Sequence, residues 1–198
     1  LVGSEMCIRD RGQVVPATNV DVRLWAELEN GDRIDGESAI GNARLPIMRI
    51  GCYPSRPPAL PRALEAIKNA EIILIGPGSL YTSILPNLLV PEIVEAIEKS
   101  KAPKLYICNL MTQPGETDGL DVAGHVRAIE AQLASRGITR KIFNSILAQC
   151  EDGEYSTIGV LDDINEEIYN NDESVNAYSI FNWTSDDVNR TLSGLSLI

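Results

Sequence analysis

The chain has 198 residues, 44% of them apolar, enough for one hydrophobic core of ordinary size. Its formal net charge is −11, of which residues 151–198 supply −10, from 11 carboxylates and the single cation Arg190; residues 1–150 hold the other 17 carboxylates and 16 cations. A nearly neutral body with an acidic end carries no basic footprint for nucleic acid, and no apolar run has the length needed to span a bilayer.

The first residues, Leu1-Val2-Gly3-Ser4-Glu5-Met6-Cys7-Ile8-Arg9-Asp10, back-translate into a string that resembles a transposon-type sequencing adapter, with Arg11 as the junction codon. Residues 1–11 are therefore expected to be an assembly artefact outside the fold, and the natural polypeptide is expected to extend upstream. Residues 20–28 alternate apolar and polar side chains, which predicts a half-buried strand. Asn30-Gly31 is a turn signal, and residues 32–38 are expected to return as its partner. Residues 47–52 read as another strand. Four prolines between Pro54 and Pro61 predict an extended loop, with Pro61 at the first position of a helix running to Asn69.

Residues 72–75, Ile-Ile-Leu-Ile, have the composition of a strand buried on both faces. Pro91 opens a second helix, with Ile93, Val94 and Ile97 inward and Glu95 set to pair with Lys99. Residues 104–108 form the next strand. Asp121 is a suitable N-cap for a long helix with the stripe Val122, Val126, Ile129 and Leu133, ended by Gly137. Residues 142–148 are a last strand. Strand–helix–strand–helix–strand order predicts parallel pairing. The expected organisation is the artefact at 1–11, an α/β domain at 12–150, and a weakly ordered or variable acidic tail at 151–198.

Cys7 aside, Cys52, Cys108 and Cys150 are scattered, with one histidine for company. That spacing builds neither a zinc site nor a disulfide framework and fits a reducing cytoplasm. Cys108, in an apolar run, is expected to be a small buried hydrophobe.

Two stretches could carry chemistry. After the first core strand come Gly76-Pro77-Gly78, then the hydroxyls of Ser79, Tyr81, Thr82 and Ser83. Spacing alone leaves open a phosphate or nucleotide loop and a tight turn with solvated hydroxyls. After the next strand come Asn109, Thr112, Gln113, Gly115, Glu116 and Thr117, suited to a base or sugar, with Glu116 able to accept from ribose hydroxyls, or simply a decorated turn. Parallel neighbours would bring both loops to one edge of the sheet as a shared crevice. His125, near the start of the long helix, reads equally as a semi-buried structural residue or an acid–base group. Arg44, Arg49, Arg56 and Arg62 could meet phosphates or lie in solvent. No catalytic set and no metal cluster emerges, which favours binding over turnover.

Gly76–Ser83 with Pro86-Asn87-Leu88-Leu89, and Asn109–Thr117, resemble the signature blocks of the bacterial gluconeogenesis factor family, within the superfamily of 2-phospho-L-lactate transferase. Val14–Thr18, Gly36-Glu37-Ser38 and Ala66-Ile67 are similar to its usual run, so the resemblance covers about residues 12–148. It implies a Rossmann-like three-layer α/β core with a mainly parallel sheet, incomplete because the N-terminal part with the family's glycine-rich phosphate loop is missing. It implies a cytoplasmic regulator needed for gluconeogenic growth and for cell shape and cell-wall homeostasis, binding a nucleotide or a nucleotide sugar such as UDP-N-acetylglucosamine through Gly76, Gly78, Ser79, Tyr81, Thr82, Asn109, Thr112, Gln113, Gly115, Glu116 and Thr117. Asn87 and His125 would stand behind them. Partners are then a small-molecule nucleotide and neither nucleic acid nor membrane, with a homo-oligomer an open option. The alternative is a phospholactyl transferase acting on a deazaflavin precursor, which alone would call for Mg. Gly124 precedes His125 where the family more often has an acid, which weakens an acid–base role, and the acidic tail matches no part of the family.

Overall fold

The structure is a computed structural model that describes residues 13–148 in full, with the backbone of residues 149, 155–159 and 179–181. The expectations for residues 1–11 and for most of the acidic tail lie outside the described residues.

Two sheets organise the chain. The first is antiparallel: β1 (Arg23–Leu28), β2 (Arg33–Asp35) and β3 (Ile47–Tyr53) in the order β2-β1-β3. Asn30-Gly31 turns β1 into β2 as expected, with Gly31 at φ +83°. The predicted return strand is shorter than residues 32–38, because Gly36 redirects the chain into a single helical turn, α1 (Glu37–Ile40). On the outer face the Arg33 guanidinium lies 4.4 Å from the Trp25 ring centroid, and that of Arg49 at 5.6 Å.

The second sheet is mixed. After helix α2 (Pro61–Asn69), strands β4 (Ile73–Ile75), β5 (Lys104–Ile107) and β6 (Ser145–Gln149) run parallel. Between β4 and β5 lie a wide π turn (Leu80–Ile84), the short helix α3 (Leu85–Leu88) and α4 (Pro91–Lys99); α5 (Val122–Ala134) joins β5 to β6. Two further strands, β7 (Tyr155–Gly159) and β8 (Ser179–Phe181), add antiparallel to give the order β4-β5-β6-β7-β8. The chain is thus a mixed α/β protein in which three neighbouring strands of the larger sheet are parallel. Among the described residues no single helix is long and apolar enough to cross a membrane.

The helices follow their sequence signals. Pro61 and Pro91 sit in the first turns of α2 and α4, where a missing N–H costs nothing. The Asp121 carboxylate caps α5 by accepting from the Gly124 N–H, and Gly137 follows with φ +80°. Ile93, Val94 and Ile97 of α4 and Val126, Ile129 and Leu133 of α5 are buried. Glu95 pairs with Lys99, whose ammonium holds the Glu95 carboxyl below its ordinary range.

α5 packs against β3, and one side chain fixes the docking. The Gln132 amide accepts from the Ile50 N–H and donates to the Ile50 C=O, both at 2.9 Å, while itself only 4% exposed. β3 is an edge strand, so this side chain takes the place of a neighbouring strand for one peptide. Along the parallel strands, Ile73, Ile75, Tyr106, Cys108, Ile146 and Ala148 are buried, whereas Leu74, Leu105, Ile107 and Leu147 on the opposite face are half-exposed.

Candidate functional site

The crevice begins where β4 stops. Gly76 has φ +85°, and a Cβ there would stand 2.7 Å from the Ile107 carbonyl oxygen. Only glycine lets the end of β4 lie this close to the end of β5. A cis Gly76–Pro77 bond follows. The chain then closes the π turn with Ile84 N–H donating to the Ser79 C=O at 2.9 Å.

β4 and β5 are parallel neighbours in register, Ile75 opposite Tyr106, so their exits lie side by side and side chains lace them together. Gly78 N–H donates to Asn109 Oδ1 at 3.1 Å, and Asn109 Nδ2 donates to the Gly78 C=O at 2.9 Å. Gln113 Nε2 donates to Ser79 Oγ at 2.9 Å. The Glu116 carboxylate receives the Tyr81 N–H at 3.1 Å on Oε2 and the Thr82 hydroxyl at 2.9 Å on Oε1. Glu116 was read as able to accept from ribose hydroxyls or as part of a decorated turn; both of its oxygens hold the opposite loop, each with acceptor capacity remaining.

The second loop is internally tied. Gln113 N–H donates to Thr117 Oγ1 at 2.8 Å, and Thr117 is fully buried. Gly115 has φ +84°, and a Cβ there would lie 2.7 Å from the Ala43 carbonyl oxygen. Its N–H donates to Asp118 at 2.8 Å. The segment between α1 and β3 thus backs this loop, a contact with no sequence signal.

The predicted residues divide into two groups. Gly76, Gly78, Ser79, Thr82, Asn109, Gln113 and Glu116 are brought together at the paired exits. Tyr81 contributes its backbone, but its ring is buried and its hydroxyl donates to the Ile47 C=O at 3.1 Å; burial pushes the phenol above its ordinary range, with Glu116 adding to the effect. Leu110, Met111 and Thr112 are exposed between the anchors Asn109 and Gln113. Asn87, also exposed, donates from Nδ2 to the Ser83 C=O at 2.8 Å. His125 is 2% exposed, with Nδ1 at 2.8 Å from the Asp121 carbonyl oxygen. That oxygen can only accept, so Nδ1 donates to it, and Nε2 is buried without a partner among the described residues. The Gln113 Oε1 atom is likewise buried without a partner. Cys108 is buried, as expected, and burial raises its thiol above the ordinary range.

Among the described residues no three histidine, cysteine, aspartate or glutamate side chains converge as a metal site.

Residues 4–180 match the family model described as 2-phospho-L-lactate transferase CofD. The chain belongs to this family. Its relatives within the CofD family carry the expected name: it is 47% identical over 135 residues to the gluconeogenesis factor of Bacillus subtilis and 53% identical over 119 residues to that of Halalkalibacterium halodurans. Those matches cover 68% and 60% of this chain but 43% and 37% of the relatives, so the chain spans less than half the length of either. A crystal structure of a UPF0052-family member from Bacillus halodurans superposes with a TM-score of 0.64 at 48% identity, over 71% of this chain and 44% of that one.

Proposed function

We propose that this chain forms part of a ligand-binding regulator that holds a nucleotide or nucleotide sugar in the crevice between the β4 and β5 exits. The observation that carries this reading is the reciprocal Asn109–Gly78 pair, which keeps a glycine loop and an amide- and hydroxyl-bearing loop at the same edge of a parallel sheet. Carboxyl ends of neighbouring parallel strands are where Rossmann-like α/β proteins seat such ligands. In this reading the phosphates lie against the Gly76–Ser79 backbone and hydroxyl, and the sugar or base meets Asn109, Thr112 and Gln113. Glu116 sets the width of the crevice and offers its remaining lone pairs to sugar hydroxyls. The names of the relatives support a regulatory role in gluconeogenic growth; a role in cell shape and a cytoplasmic location belong to the same proposal.

The name of the matching family model supports a second reading, a phospholactyl transferase acting on a deazaflavin precursor. Calorimetric titration with UDP-N-acetylglucosamine, beside a turnover assay with a phospholactyl nucleotide donor, Mg and a deazaflavin acceptor, separates the two. Saturable binding of the nucleotide sugar with no product supports the regulator. Product formation supports the transferase, and neither result overturns the crevice as a nucleotide site.

A further inference from the structure

A second cleft, of about 370 Å³, shares no residue with the crevice. One wall is a single face of α4, since Pro91, Val94, Glu95 and Glu98 recur at helical spacing. The other wall is Ser55 and Arg56 from the loop after β3, with Arg136 and Ile138 from just beyond α5. Its volume falls in the range of small-molecule sites.

The charges are segregated in sequence and element, with two carboxylates on the α4 wall and two arginines on the other. Among the described residues no ion pair joins the two walls. Arg136 is tethered to the Ser55 C=O through Nη2 at 3.2 Å, which leaves the rest of its fork unused. Glu95 is held by Lys99 on its own helix, and Glu98 is half-buried. Opposite charges on the two walls, unpaired with each other and with Pro91, Val94 and Ile138 also in the lining, complement a ligand that is itself a dipole.

The geometry points to a binding site for a free α-amino acid, its carboxylate on Arg56 and Arg136 and its ammonium on Glu98 and Glu95. A lone anion would face two carboxylates, and a lone cation two guanidiniums, so each is disfavoured by like charge.

Titration calorimetry of the full chain with glycine, L-serine and L-glutamine tests this, with acetate, methylammonium and 4-aminobutyrate as controls. At least one α-amino acid is expected to bind ten-fold or more tightly than every control. Arg56→Gln and Glu98→Gln are each expected to weaken it at least ten-fold, with circular dichroism and thermal midpoint close to those of the parent chain. Both residues lie at the surface or half-buried, and neither touches the crevice, so nucleotide binding is expected to be unchanged in both. No heat with any of the three amino acids, acetate binding as tightly as they do, or an affinity indifferent to both substitutions would overturn the assignment.

Discussion

Glu116 meets Tyr81 at the opening of the π turn, its Oε2 accepting the Tyr81 N–H at 3.1 Å. A carboxylate thus sits where a helical turn presents unpaired N–H groups, a position that favours negative charge. With its second oxygen on the Thr82 hydroxyl, Glu116 is the clasp that joins the two loops of the crevice.

Replacing the clasp should therefore loosen both loops together. Glu116→Gln keeps one acceptor but loses the charge and sets an N–H₂ against a donor. The expected cost is about 1–3 kcal/mol of folding stability, read as a lower denaturant midpoint at unchanged slope. Glu116→Asp, which keeps the charge on a shorter side chain, should recover only part of it.

Gly115 and Gly119 provide an internal comparison. Both have positive φ, +84° and +72°, but a Cβ at Gly115 would strike the Ala43 carbonyl oxygen, whereas a Cβ at Gly119 meets open space. Gly119→Ala should cost about 1 kcal/mol from backbone strain alone. Gly115→Ala should cost clearly more and also weaken ligand binding, because its loop must back away from the segment after α1. Equal costs in urea unfolding would contradict this account of the packing.

The edge of β3 depends on Gln132. Gln132→Leu fills a similar volume but strands the Ile50 N–H and C=O among buried neighbours. Each orphaned group carries a penalty of about 1–3 kcal/mol, so the variant should lose more stability than a solvent-facing Gln→Leu change. Hydrogen exchange should localise the loss to β3 and α5.

Two phenols set a pH limit. Burial raises Tyr106 far above its ordinary value, with its Cys108 neighbour adding to the effect, and burial raises Tyr81 as well. Below about pH 10 both are neutral in folded and unfolded chains and leave stability unchanged. Above it the unfolded chain ionises first, so stability should fall by about 1.4 kcal/mol per pH unit for each phenol still neutral in the fold. Ultraviolet titration should show part of the tyrosine absorbance change arriving only with unfolding, and Tyr106→Phe should shift that unfolding to higher pH.

Much of this architecture was legible in local patterns. The apolar run at residues 72–75, the prolines at 61 and 91, and Asp121 before the Val122 stripe marked strands and helices because each signal acts over a few residues. The adjacency of the two candidate loops followed from strand–helix–strand order, which the β4–β5 ladder bears out. What escaped were long-range pairings: Tyr81 with Ile47, Gln132 with Ile50, and Glu116 with Tyr81 and Thr82, partners 34 to 82 positions apart. Nothing near Gln132 distinguishes it from an exposed helical glutamine. The hydroxyl of Tyr81 looked like part of a ligand loop for the same reason, since its burial is decided by β3. The single turn of α1 is too short to carry a periodic signal.

On the proposed reading, the exits of β4 and β5 serve one ligand. Calorimetric titration of UDP-N-acetylglucosamine against the parent chain, Ser79→Ala and Thr112→Ala tests this, because the two residues belong to different loops and neither substitution removes the Asn109–Gly78 pair, although Ser79→Ala also gives up the Gln113 bond to Ser79 Oγ. Saturable binding is expected, weakened about ten-fold or more by each change alone. Binding that is insensitive to one of the two loops, or that never saturates in the parent chain, would overturn the shared site.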